Sequence, residues 1–221
     1  MSGLKDRFPE FAFGGYRVSP SEMDRYEVYS VSNPSTSSSW FGTAAAGTAD
    51  QAVALVVTNK LADYPRNLAG AVAGSSDMGG VWVVNGYSQF GEEITDTITI
   101  GTAANGGTVG GSKVFAEVTS GTFTFDSGAV GNGTPTLGVD VTGTSVIFGL
   151  PAKIGASSDV KSITWINGTV ATAINGGTIA SYVDTAVHGF SGTENVTASD
   201  RYQVWFRPTY DNSGQDNMAK W

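Results

Sequence analysis

Glu93-Ile94-Thr95-Asp96-Thr97-Ile98-Thr99-Ile100 is the stretch on which the reading of the fold turns. Ile94, Ile98 and Ile100 fall on one side of a two-residue period, and Glu93, Thr95, Thr97 and Thr99 on the other. That is the pattern of a strand with one covered face. Asp96 falls among the isoleucines, which marks a strand end, a bulge or a carboxylate with a partner. Outward from this stretch the style repeats. Val81 and Val83 alternate with Trp82 and Val84, and Val53, Leu55 and Val57 alternate before them. Segments 114–118, 122–125, 139–141, 146–148, 162–166 and 202–206 follow. Branched and planar side chains pack well on a pleated surface, so these segments are predicted strands.

Between them lie five Asn-Gly pairs, at Asn85, Asn105, Asn132, Asn167 and Asn175. Asn tolerates and Gly prefers the positive φ of tight hairpin turns, so each pair is a predicted turn. The fold class is therefore all-β, an antiparallel β-sandwich or barrel, built as one unit or as two small β domains. Only residues 52–63 could be a helix instead. Residues 1–47 read as an extended N-terminal arm and linker, with aromatic residues broken by Gly and Pro. Within it, 26–31 alternates like a strand and 33–39 is a Ser-rich loop. Residues 48–221 form the β-rich body, with a subdivision placed near 150–160.

Charged residues make up 14% of the 221, against about 25% in an ordinary domain, while 30 glycines are about twice the usual share. With 40% hydrophobic residues the chain can bury a core, unlike a disordered one. The net charge of −8 arises in the middle: residues 67–200 hold three basic and eleven acidic residues, and both ends are close to neutral. Nucleic acid needs clustered Lys and Arg, so it is not an expected direct partner. No apolar run reaches the length of a membrane span, and no apolar stretch of the secretory type follows Met1 to Phe8, so cytoplasmic synthesis and no membrane partner are expected.

The search for chemistry returns little. Without cysteine there is no disulfide, thiolate metal site or cysteine nucleophile. His188 is the sole histidine, and a turn or interface role suits it better than a triad whose other members cannot be assigned. Glu92, Glu93 and Asp96 are candidates for a hydrolytic carboxylate pair, but the alternation sets Glu93 and Asp96 on opposite faces. The 211–216 segment is rich in oxygen ligands without calcium-loop spacing, and the Gly-rich 101–111 lacks the Lys and Ser/Thr of a phosphate loop. No catalytic residue, metal or cofactor is expected, and the chain reads as a non-enzyme.

Seven aromatic residues lie where no core obviously claims them: Phe8, Phe11, Phe13, Tyr16, Trp40, Phe41 and Trp221. Apolar patches on a soluble chain mark interfaces, so these are the candidate partner contacts. A carbohydrate-binding module, with Trp82, Trp165 or Trp205 as a sugar platform, is the reading of another class.

The stretch Val83-Val-Asn-Gly-Tyr-Ser-Gln-Phe-Gly-Glu-Glu-Ile-Thr-Asp-Thr-Ile-Thr-Ile100, followed by Gly110-Gly-Ser-Lys-Val-Phe-Ala-Glu-Val-Thr-Ser120, resembles structural proteins of tailed bacteriophages, the head decoration or cement proteins in particular. Leu137-Gly-Val139 and Gly149-Leu-Pro151 continue the resemblance, which covers roughly residues 80–165. Asp96 stands where such patterns more often carry Glu. The resemblance implies a virion protein on the capsid surface whose partners are the major capsid protein and copies of itself, often as a trimer. A tail, tail-tube or head-fibre component would share the composition.

Overall fold

A computed structural model describes residues 12–13, 16–17, 26–73, 79–101, 108–128, 133–139, 146–167, 170–191 and 196–209. In chain order the strands are β1 (Ala12–Phe13), β2 (Tyr16–Arg17), β3 (Glu27–Ser32), β4 (Gly42–Ala44), β5 (Ala52–Val57) and β6 (Leu61–Ala73). They continue as β7 (Gly80–Tyr87), β8 (Glu93–Ile100), β9 (Val109–Phe125), β10 (Thr134–Val139) and β11 (Ile147–Gly149). The last are β12 (Val160–Asn167), β13 (Val170–Asn175), β14 (Val183–Asp184), β15 (Gly189–Ser191) and β16 (Asp200–Phe206). The fold is all-β, and the described helical structure is two short 3-10 turns, Ser157–Asp159 and Gly176–Tyr182. Residues 52–63 form β5 and the start of β6, so the helical alternative is overturned.

Five antiparallel strands close a barrel. β6 pairs with β10, β10 with β4, β4 with β5, β5 with β9, and β9 returns to β6. Closure is possible because β6 and β9, at 13 and 17 residues, are long enough to serve two neighbours each. β7 and β8 extend one side through β9, and β11, β15 and β14 extend the other through β6. A separate sheet runs β13-β12-β16-β3.

Two cores result. One gathers Phe41, Leu68, Trp82, Phe115, Phe123 and Phe125 inside the barrel. The other joins Tyr29, Phe148, Trp165, Phe190, Tyr202 and Phe206 between the four-stranded sheet and β11–β15. Its aromatic centre is tight: the Phe148 ring lies 5.3 Å from Tyr202 and 5.6 Å from Phe190. Polar side chains tie the cores together. Asn67 donates to Gly111 O at 3.0 Å and accepts from Ile147 N at 2.9 Å, so one amide holds β9 and the start of β11. Arg66 is fully buried, with its guanidinium 5.6 Å from the Phe148 ring centre and a hydrogen bond to the Ser35 carbonyl.

The arm boundary drawn at residue 47 does not match this structure. β3 lies in the four-stranded sheet beside β16, and β4 is a barrel stave. The loop 33–39 between them is fastened to β6, where Asp63 Oδ2 accepts from Ser35 N at 2.6 Å. Pairing with a strand 169 to 179 residues later leaves no mark in local composition.

Asn85-Gly86 is likewise not a turn. It lies within β7 at a bulge opposite β9, because the hairpin to β8 is made by residues 88–92. There Gly91 takes φ +77° and Ser88 Oγ accepts from Phe90 N and Glu92 N. Asn85 is spent laterally, accepting from Thr95 Oγ1 at 2.7 Å. Asn167 pairs with Val170 at the end of the β12–β13 ladder, and Gly168 lies outside the described residues.

Candidate interaction surfaces

The aromatic residues singled out in the sequence scatter. Phe8, Phe11 and Trp221 lie outside the described residues, as does the 211–216 segment. Phe13 and Tyr16 are cross-strand partners in the small β1–β2 hairpin. Phe41 is 0% exposed and belongs to the barrel core. The expectation that it meets a partner is therefore corrected, because β4 turns it inward between β10 and β5. Trp40 is half-buried, with its indole N–H donating to Leu61 O at 2.8 Å and its carbonyl accepting from Asn59. That bonding fastens the β3–β4 connection to the barrel.

His188 lies in a cleft of about 430 Å³ between the 88–92 hairpin and the 184–188 turn. It adopts φ +49°, in the left-handed region. Main chain holds its ring: Nδ1 is 3.1 Å from Ile154 O and 3.4 Å from Ile154 N. Burial, and then the charge of Lys153, push the imidazole below its ordinary value, against the opposing pull of the Ile154 main chain, Glu92 and Asp184. Beside it Lys153 Nζ reaches Glu92 Oε1 at 2.8 Å and lies 5.2 Å from the Phe90 ring centre. The buried Gln89 donates to Val187 O at 2.9 Å. These contacts lock the two loops together.

The three candidate carboxylates do not converge. Glu92 is exposed and bridged to Lys153, and Glu93 is exposed beside Tyr87. Asp96 is buried and accepts from Thr97 N, Ser112 N, Ser112 Oγ and Lys113 N. Among the described residues no three His, Asp or Glu side chains are grouped to hold a metal ion.

Two sheet faces remain. On the outer side of β8-β7-β9-β5, cross-strand rows read Thr99–Val81–Thr124–Ala52, Thr97–Val83–Thr122–Ala54 and Thr95–Asn85–Ser120. These rows carry no charge, Val83 is 41% exposed, and the next row, Glu93–Tyr87–Glu117, restores acid. Position 83 was legible as a strand residue, but the neutrality of the face appears only when four strands are laid side by side.

The second face belongs to β3, β16 and β12. Its rows are Val28–Trp205–Ser162, Ser30–Gln203–Thr164 and Ser32–Arg201–Ile166. Trp205 and Val28 are 46% and 48% exposed, whereas Trp82 and Trp165 are buried. No family model, curated protein or solved structure matches the chain.

Proposed function

We propose that the chain is a structural protein of a bacteriophage particle that binds the capsid as a decoration or cement subunit. The neutral face of β8-β7-β9-β5 carries this reading. A surface of Thr, Val, Ala and Asn is cheap to desolvate, since it strands no charge when a protein covers it. It also stands out on a chain of net charge −8. With strands about 4.8 Å apart and same-face residues about 6.8 Å apart, the three rows cover on the order of 400 Å². A stable interface buries about 800 Å² per partner, so a second contact is required. The aromatic segment containing Phe8, Phe11, Phe13 and Tyr16 supplies it. The sequence resemblance to phage head proteins points to the same partner, the major capsid protein.

The test is to mix the full chain with heads lacking it, sediment them, and image the particles. Copies on the head surface support the reading. Copies confined to the tail or to fibres would replace it with the tail-component alternative. Val83→Glu, which sets a charge at the centre of the neutral face, should abolish co-sedimentation while leaving the protein folded. Deleting residues 1–17 should weaken it. Undiminished head binding by Val83→Glu would remove the neutral face from the argument.

A further inference from the structure

The outer face of β3, β16 and β12 carries a basic side chain, Arg201, on an otherwise acidic protein. Its outward positions, Val28, Ser30, Ser32, Ser162, Thr164, Ile166, Arg201, Gln203 and Trp205, include no acidic residue. Two further cations border it. Lys161, exposed at the β12 bulge, reaches across the sheet to place its Nζ 5.5 Å from the Tyr26 ring centre. Arg207 follows β16 and is held through Nη2 and Nε on Asp159 Oδ1, at 2.7 and 3.2 Å. An exposed indole and neutral hydroxyl and amide groups thus share one sheet face with Arg201, and Lys161 and Arg207 border it.

We infer that this face binds a carboxylated polysaccharide, with Trp205 stacking on a sugar ring and Arg201 pairing with a uronate-type carboxylate. The indole offers a broad apolar plane with a polar edge, which suits the C–H face of a pyranose. Arginine's planar fork matches a carboxylate with two parallel hydrogen bonds. Gln203 lies between the two on the same strand face, with Ser30 and Thr164 beside it, placed to meet sugar hydroxyls. Arg201 and Trp205 stand four residues apart, about 13 Å along the strand. One sugar ring does not span that distance, so the ligand is an oligomer.

A single exposed indole among the described residues favours a glycan over single-stranded nucleic acid, the other polymer that stacks on aromatic sheet faces, because successive bases call for successive aromatic platforms. Nucleic acid takes a positively charged groove that tracks its backbone. Here Arg207 is already paired with Asp159, and the body around the face is acidic. Arg201 and Lys161, in no ion pair among the described residues, are too few to line such a groove.

The experiment is affinity electrophoresis of the full chain through gels containing polygalacturonate, neutral dextran or oligo-dT, with tryptophan fluorescence as a second readout. The expected result is retardation by polygalacturonate alone, weakened about tenfold or more by Trp205→Ala. Trp205→Phe should retain part of it, and Arg201→Gln should weaken it while leaving the thermal midpoint unchanged. Retardation by dextran equal to that by polygalacturonate, retardation by oligo-dT alone, or none by any polymer would each overturn the inference. So would binding indifferent to Trp205→Ala. Head binding plays no part in these readouts, so failure here leaves the capsid reading standing, and the converse holds.

Discussion

Asp96 and Ser112 are joined twice: the Ser112 main-chain N–H reaches Oδ2 at 2.8 Å and its hydroxyl reaches Oδ1 at 3.2 Å. With Lys113 N at 3.1 Å and Thr97 N at 2.9 Å, one carboxylate satisfies three main-chain donors. It fastens the middle of β8 to the early part of β9, to which the β-ladder does not pair it.

Replacing Asp96 by Ala strands those donors. Each unmet buried donor costs about 1–3 kcal/mol, so Asp96→Ala should destabilise by at least about 2 kcal/mol. Asp96→Asn keeps one acceptor oxygen and should cost less. Urea unfolding followed by tryptophan fluorescence measures both.

Asn67 is the amide between the two cores. Asn67→Ala removes a donor to Gly111 O and an acceptor for Ile147 N in one step. The expected loss is about 2–4 kcal/mol, from two unmet main-chain groups. Asn67→Asp keeps the acceptor but sets a carboxylate against the Gly111 carbonyl, and should be worse at neutral pH than its single lost bond suggests. Unfolding midpoints in urea decide the order.

Phe41 and Trp205 separate core from surface. Phe41→Ala opens a cavity in the barrel and should cost about 3–5 kcal/mol. Trp205→Ala removes a side chain that is nearly half exposed, so it should cost far less, within about 1 kcal/mol. Thermal unfolding of the two variants tests the assignment, and equal losses would contradict it.

Acid should act through two groups. Burial alone would raise the Asp159 carboxyl, but hydrogen bonds from Arg207, Ala156 and Gly155, together with the Arg207 charge, outweigh it and hold the group below its ordinary 3.8. A depressed carboxyl contributes stability that is full above the unfolded value and is lost as pH falls through the folded one. Asp159→Asn should flatten stability below about pH 4. His188 is depressed from 6.5, by burial first and then by Lys153. The unfolded chain therefore takes up its proton first, and stability falls with pH from about 6.5 downward. His188→Asn, which tolerates the positive φ, should flatten that window in a pH series of urea midpoints.

The sequence by itself determined that the protein is all-β. Period-two alternation, as at 93–100, and short runs of branched and aromatic residues, as at 81–84 and 202–206, are local properties visible before any partner was known. It also determined that charge is scarce and that β8 has a threonine side. Tertiary structure decided which side of each strand is covered and by what. Tyr202-Gln203-Val204-Trp205-Phe206 is apolar at four of its five positions, and alternation alone does not say that Trp205 faces out. The register with Val28 and Ser162 does. Phe41, Asp96 and Asn85 were decided in the same way. Their roles are fixed by contacts with residues 10 to 96 positions away in the chain, and a two-residue period records only that a strand has two faces.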